Sequence, residues 1–360
     1  MKRSLQLIVA AAAMAFGASV VAQSVPELNF TANADIVTLP AYGEVAGVAT
    51  NSSGHIFVLA RTGEPRATLG HERTFYHGGS QLFQFDQNGR FVREIGQETY
   101  GMTYAQQVRV DRQDNVWVVD AGSNMLTAFD SNGRFVKTMG RKPESIPVRP
   151  GPGMPARLLD PEPEPAGGRG RGASGPPGAG TQSESFNRPS DVAFDSTGNI
   201  YIADGIGTNN RIAVYNRDGN WVRGWGQTGS NEGQFDEIRG LVIDAVNNVY
   251  VADSGNNRIQ VFDSQGTFKS QITGIGSPQA ICMTGGPTQY LFSSNSNDPE
   301  GMENGEIYKV SLSGQVLGKF GRAGKVPGEF GMVNSLDCRT ETDLFVGEVW
   351  NWRVTKVTLR

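Results

Sequence analysis

The sequence predicts an all-β fold, a six-bladed β-propeller whose ring is closed by an N-terminal strand. Three observations point there. Phe186–Gly274 reads as two consecutive copies of one unit, FNRPSDVAFDSTGNIYIADGIGTNNRIAVYNRDGNWVRGWG and FDEIRGLVIDAVNNVYVADSGNNRIQVFDSQGTFKSQIT. Each copy holds four short apolar runs of β-type composition, separated by Asp, Asn, Gly and Ser. A repeat of roughly 20–50 residues marks a propeller or a solenoid, and four strands per unit select the propeller. Finally, six third-strand segments recur along the chain (SQLFQF, MLTAFD, RIAVYN, RIQVFD, EIYKVS and RVTKVT), yet only five fourth strands follow them. An open sixth unit leaves an unpaired edge, which proteins avoid. The apolar piece Ile36–Leu39 is expected to supply the missing outer strand. An open solenoid would instead need capping units, and the sequence contains none.

The first unit begins near Gly43, with strands expected at Val45–Ala49, Ile56–Ala60, Gln81–Phe85 and Phe91–Ile95. The last two are joined by Asp86-Gln87-Asn88-Gly89, a hairpin signal. The second unit gives Gln107–Val110, Asn115–Val119, Met125–Phe129 and Phe135–Met139, with the hairpin Asp130-Ser131-Asn132-Gly133. Residues 141–185 then break the pattern with Pro, Gly, Arg and Ser, including Pro161-Glu162-Pro163-Glu164-Pro165. Such composition cannot bury enough apolar surface to offset the entropy of ordering, so a disordered insertion is expected within one repeat domain. The third and fourth units are the two copies quoted above. The fifth is degraded: Ala280–Met283, Tyr290–Ser293, Glu306–Val310 and Gln315–Phe320. The sixth starts near Met332 and gives Ser335–Cys338, Leu344–Gly347 and Arg353–Leu359.

At the N-terminus, Lys2 and Arg3 precede an apolar run from Leu5 to about Val21, and Val20 and Ala22 suit a cleavage site. Residues 1–22 are therefore expected to be a signal peptide, leaving a propeller domain over 23–360 in a secreted or periplasmic protein. A retained anchor is the alternative; no later segment approaches membrane-spanning length. The net charge is −4, which gives no basic field for nucleic acid. Export exposes the two cysteines, Cys282 and Cys338, to an oxidising compartment. They fall in the first strands of adjacent units at nearly matching heights, so a disulfide is expected, with two buried thiols as the alternative.

Small-molecule sites in propellers lie where loops of several blades converge on one end of the channel. Loops after second strands and before first strands share a face. That face collects Arg61, Asp120, Asp204, Asp253 and Glu348 from the former, and Gln106, Ser190, Arg239 and Asn334 from the latter. The recurrent Asp, followed by Asn-Asn-Arg, reads mainly as scaffold: a carboxylate that binds its own loop and pairs with the Arg. The non-repeating Arg61, Gln106, Arg239 and Asn334, with Asp204 beside them, give a donor-rich mouth suited to an anion or a carbonyl group. Solvated loop residues around a water-filled channel are the plainer reading. His55 lies at the opposite face, about 15–20 Å away. His71 and His77 sit in a long loop and could bind a metal, but without a third ligand they read better as solvent-exposed histidines.

The units resemble NHL repeats, and the pattern is most similar to the lyase domain of peptidyl-α-hydroxyglycine α-amidating lyase. Besides the two copies above, FGMVNSLDCRTETDLFVGEVWNWRVTKVTL carries the resemblance. It implies a six-bladed propeller that cleaves α-hydroxyglycine peptides to an amide and glyoxylate, with zinc held in the channel by three histidines. The matching positions here are Gln106, Arg239 and Asn334, none of them His and none preceded by Pro. The family's catalytic Tyr falls on Ile206 and its calcium-linked Asp on Ser335; its Arg after the first second strand is kept as Arg61. Gln, Arg and Asn cannot rebuild a zinc site, since a cationic Arg repels the metal. Calcium or zinc is thus not supported by these positions. The expected function is a ligand-binding or protein-interaction module, monomeric, with an unknown protein or small molecule as partner. The alternative is a divergent lyase-like or lactonase-like enzyme working at the channel mouth. Nucleic-acid binding would rest on the Arg-Gly patch of the insertion alone and is not expected.

Overall fold

In the computed structural model, the described residues are 25–360 apart from 42, 63–66, 69–73, 76–78, 98, 100, 141–185, 207–208 and 297–303. The signal segment, the insertion, His71 and His77 lie outside them. Among the described residues there is no α-helix, and hence none long and apolar enough to cross a membrane. Six four-stranded antiparallel sheets follow one another around a ring. From the axis outward, the first is Glu44–Thr50, Ile56–Arg61, Ser80–Phe85 and Phe91–Ile95. The second is Ala105–Val110, Val116–Asp120, Met125–Phe129 and Phe135–Gly140. The third is Pro189–Phe194, Ile200–Asp204, Arg211–Tyr215 and Trp221–Trp225. The fourth is Ile238–Ile243, Val249–Asp253, Arg258–Phe262 and Phe268–Ile272. The fifth is Pro278–Met283, Tyr290–Asn295, Ile307–Ser311 and Val316–Phe320.

The sixth blade has Val333–Cys338, Asp343–Glu348 and Arg353–Leu359, and its outer strand comes from the N-terminal side of the chain. The closing strand is Phe30–Asn33, however, and not the expected Ile36–Leu39. Phe30 opposes Leu359 and Asn33 opposes Lys356. The segment FTAN alternates half-buried and exposed residues, the period of a one-faced strand. Phe30 lands on the rings of Phe320 and Phe330, with centroids 5.1 and 6.4 Å away. Just before it, the Leu28 N–H donates to Lys319 O at 2.7 Å and the Lys319 N–H to Pro26 O at 2.9 Å. One segment therefore covers the outer edge of blade 5 and completes blade 6. Ile36, Val37 and Leu39 spend their apolar surface differently, packing on Val45, Val48, Phe83, Phe85 and Phe345 at the seam of blades 6 and 1.

The core is a ring of six layers, each between two neighbouring blades. Phe57, Leu59 and Leu82 meet Val108, Val116 and Val118 between blades 1 and 2, for example, and Phe292 and Ile307 meet Leu336 and Val346 between blades 5 and 6. The second strands, and the third strands of blades 2, 3 and 4, are buried on both faces by this arrangement, which is why most of them read as nearly continuous apolar runs. A cation in the outer strand then staples each of three blades to the next: Arg93 donates to Ser131 O and Asn132 O, Lys137 to Arg217 O, and Arg223 to Ser264 O. Cys282 and Cys338 form the expected disulfide between the inner strands of blades 5 and 6, with Cα atoms 5.8 Å apart.

Candidate site at the channel mouth

Each inner strand carries one register irregularity where it enters the sheet, between Val45 and Gly47, Ala105 and Gln107, Pro189 and Asp191, Ile238 and Gly240, Pro278 and Ile281, and Val333 and Ser335. Bulges re-aim a side chain out of the ladder. Six bulges at one height make a ring in which Ala46, Gln106, Ser190, Arg239, Gln279 and Asn334 occupy equivalent places. The sequence reading placed Gln106, Arg239 and Asn334 in one slot and Ser190 on the same face; Gln279 was missed. Its signal is Pro278, which matches Pro189 at the same point of the third blade.

These side chains differ in what they are free to do. Asn334 is a strut. Its Nδ2 donates to Ala46 O at 2.7 Å and Gln106 O at 2.9 Å, and its Oδ1 accepts from Gln279 Nε2 at 2.9 Å. Its amide thus ties blades 1, 2, 5 and 6 together and is withdrawn from ligand recognition. Gln106 is buried and enters this web through its carbonyl. Ser335 sits just beneath, accepting from the Val48 N–H at 3.0 Å and donating to Gln107 Oε1 at 2.7 Å.

One layer deeper, Arg109 and Asp191 pair bidentately at 2.8 and 2.6 Å. Arg109 also donates to Leu336 O and Ile281 O, while Asp191 accepts from the Leu241 N–H. Burial pulls at the guanidinium, but the adjacent Asp191 charge prevails and holds Arg109 above its usual range. The sequence reading did not single out this pair. The channel is cross-linked below its mouth, so chemistry there is confined to the rim.

At the rim, Arg61 and Arg239 converge on Tyr104. The Arg61 guanidinium lies 4.3 Å from the Tyr104 ring centroid, a cation–π contact, and pairs with Glu44 at 2.8 Å. Arg239 pairs with Glu237 at 3.1 Å. Burial lowers Arg239 from the usual arginine range; Glu237 opposes this, Arg188 adds to it, and Tyr104 is close enough to act on it. Arg188 and Glu237 hold the left-handed backbone conformation, φ +56° and +53°, which costs a non-glycine residue energy and is common at functional sites. Two buried polar atoms of this rim have no partner, Arg239 Nε and Gln279 Oε1, whereas Arg61 Nε lies 2.8 Å from the Glu44 carboxylate in an ion pair whose angle falls short of a hydrogen bond. Tyr104 is held in place by Asp120, whose carboxylate accepts from the N–H groups of Thr103, Tyr104, Gly122 and Ser123. Desolvation raises Asp120 despite those bonds. Trp350 and Trp352 stand exposed on the same face, in the slots where blade 4 has Gly255 and Asn257.

The remaining predicted residues sort cleanly. Asp204 is fully buried and accepts from the Asn187 N–H, Asn209 Nδ2 and Arg211 Nε. It is scaffold and not part of the rim, because no carboxylate oxygen reaches solvent. Asp253 with Arg258 and Glu348 with Arg353 repeat the pair at 2.7 and 2.8 Å. Ile206 is buried. His55 contacts Gln84 at 2.7 Å on the far face. Among the described residues no group of three His, Cys, Asp or Glu side chains is arranged to hold a metal.

The fold is a six-bladed β-propeller, and the NHL repeat pattern matches residues 186–215 and 235–262 within it. The chain is 39% identical over 92 residues to NHL repeat-containing protein 3 of Mus musculus, covering 25% of this chain and 26% of that protein. It is 34% identical over 100 residues to Protein brain tumor of Drosophila melanogaster, covering 27% and 10%. With Peptidyl-glycine alpha-amidating monooxygenase of Mus musculus it shares 35% identity over 89 residues, covering 23% and 9%. The chain thus spans about a quarter or less of these relatives. Among solved structures, a gluconolactonase from Xanthomonas campestris superposes with a TM-score of 0.56 at 13% identity, covering 94% of this chain and 96% of its own. Virginiamycin B lyase from Staphylococcus aureus gives 0.53 at 11%, covering 92% and 100%. At such identities the likeness concerns the fold.

Proposed function

We propose that the protein is an exported, secreted or periplasmic, binding module that takes an acidic, carboxylate-bearing segment of a partner protein on its channel mouth. The observation carrying this reading is the pair of guanidinium groups that meet at Tyr104 on the rim, Arg61 and Arg239, with the buried Arg239 Nε left without a hydrogen-bond partner. A buried donor without an acceptor costs about 1–3 kcal/mol, and a carboxylate would remove that cost while matching the planar guanidinium fork. Tyr104, Trp350 and Trp352 add the aromatic surface that interfaces favour. Calorimetric titration with a hexaglutamate peptide, against hexaglutamine as the neutral control, tests it. The acidic peptide is expected to bind, more weakly as salt rises, and to lose tenfold or more in affinity in the Arg61→Ala/Arg239→Ala double variant. Equal binding by the double variant, or no preference over hexaglutamine, would exclude the reading.

A further inference from the structure

On the face opposite the mouth, neighbouring blades are linked by a second device. The turn joining inner to second strand in one blade receives a side chain from the same turn of the next. The Ser52 N–H donates to Asp114 Oδ1 at 2.9 Å, the Ser196 N–H to Asn247 Oδ1 at 2.9 Å, and the Ala245 N–H to Gln289 Oε1 at 2.7 Å. Arg112 holds the matching place in blade 2, and the residue that should reach it from blade 3 is Gly198. Glycine has no side chain to offer. At this junction the seam opens into a groove of about 430 Å³, within the range of small-ligand sites, roughly 300–1,000 Å³.

The groove has a consistent chemistry. Its floor is apolar: Trp117 and Phe194 lie with ring centroids 5.3 Å apart, beside Val136 and Ile200. Its rim carries Arg112, Lys137 and Arg217. The two acidic residues that border it are already committed. Asp111 accepts from the Gln113 and Asn115 N–H groups and from Trp117 Nε1. Asp195 accepts from the Thr197 and Asn199 N–H groups and from Asn199 Nδ2. Lys137 is engaged with Arg217 O, whereas the guanidinium groups of Arg112 and Arg217 have no hydrogen bond or ion pair among the described residues. Two free planar cations stand over an aromatic floor in a gap that Asp114, Asn247 and Gln289 bridge at three other junctions.

We propose that this groove binds a small aryl carboxylate, the ring on Trp117 and Phe194 and the carboxylate between Arg112 and Arg217. Aromatic rings favour the offset or tilted stacking such a floor permits, and a carboxylate matches the guanidinium fork. The site owes its existence to Gly198, and this gives a direct test. A Cβ at Gly198 would meet only Arg217 Cβ, at 3.6 Å, an ordinary contact. Its φ of +87° resembles the +66° of Asn247 and the +59° of Asp114, so Asn is tolerated there. Gly198→Asn should therefore close the seam as in the sister blades.

The full chain is titrated calorimetrically with naphthalene-2-carboxylate and with naphthalene-2-carboxamide at low ionic strength. The carboxylate is expected to bind at least tenfold more tightly than the amide. That preference should vanish in Arg112→Ala/Arg217→Ala, and binding of both probes should be lost in Gly198→Asn, with unchanged circular dichroism. The Arg61→Ala/Arg239→Ala variant should bind as the parent does, which separates this groove from the mouth. A carboxylate that binds no better than the amide, or one held undiminished by the Arg112→Ala/Arg217→Ala variant, would overturn the proposal.

Discussion

At the scale of single residues, the repeated aspartates do most of the structural bonding. In three blades the third-to-outer hairpin opens with Asp86, Asp130 or Asp263, whose Oδ1 accepts two N–H groups of its own turn. The backbone donors at Arg90, Arg134 and Thr267 are the largest cause that holds each carboxyl below its usual range. A carboxylate whose pKa is lowered on folding contributes stability above its unfolded value, about 3.9, and loses it as pH falls through the folded value. Blade 3 supplies its own control, because Asn216 makes the same two bonds without a charge. Replacing the three aspartates with Asn should keep the turns and flatten the fall in melting temperature below about pH 4. Parallel melting curves of parent and variant across pH 2.5–6 would refute this. The sequence made these aspartates legible, since the side chain and the Gly three residues later occur together. The roles of Asn334 and Gln279 were not legible, because their partners lie in other blades and no spacing encodes them.

At the scale of elements, the strands could be read because each is an apolar run ended by a turn signal. The closing strand could not. Ile36–Leu39 is the more hydrophobic candidate, but hydrophobicity reports burial, not pairing, and its apolar side chains are half-buried as a wedge between blades 6 and 1. FTAN pairs because its alternation suits an outer strand with one exposed face. Phe30 is its anchor, so Phe30→Ala should destabilise the protein by about 2 kcal/mol, less than the 3–5 expected of a fully buried Phe. Removing the segment through Asn33 should cost more and expose the edge of Arg353–Leu359. Sedimentation would then show concentration-dependent association that the parent lacks. A truncated chain that melts with the parent and stays dispersed would refute the closing role. The inter-blade staples followed a similar logic: Arg93, Lys137 and Arg223 are visible in sequence as outer-strand cations, but the carbonyls they reach are defined only by the ring.

At the scale of the whole molecule, the number of blades followed from counting third strands, and the closed ring from the missing sixth outer strand. The disulfide was readable from matching heights in adjacent units. It encloses a loop with a sequence separation of 56, and in the chain-entropy view such a crosslink restricts the unfolded chain by about 4 kcal/mol. The Cys282→Ala/Cys338→Ala variant should therefore unfold at lower denaturant with the same native spectrum, and reductant should destabilise the parent to a similar degree. A variant as stable as the oxidised parent would contradict this.

The Arg109–Asp191 pair has a consequence for how such a protein comes apart. In a linear array of repeats each unit touches only its neighbours, so ends can fray and unfolding can proceed unit by unit. Here a single ion pair at the axis joins the inner strands of blades 2, 3, 4, 5 and 6 through its hydrogen bonds. No blade among these can leave without exposing a buried charge on another. The repeats are therefore bound to one transition: a molecule assembled from copies behaves, in its unfolding, as an indivisible unit.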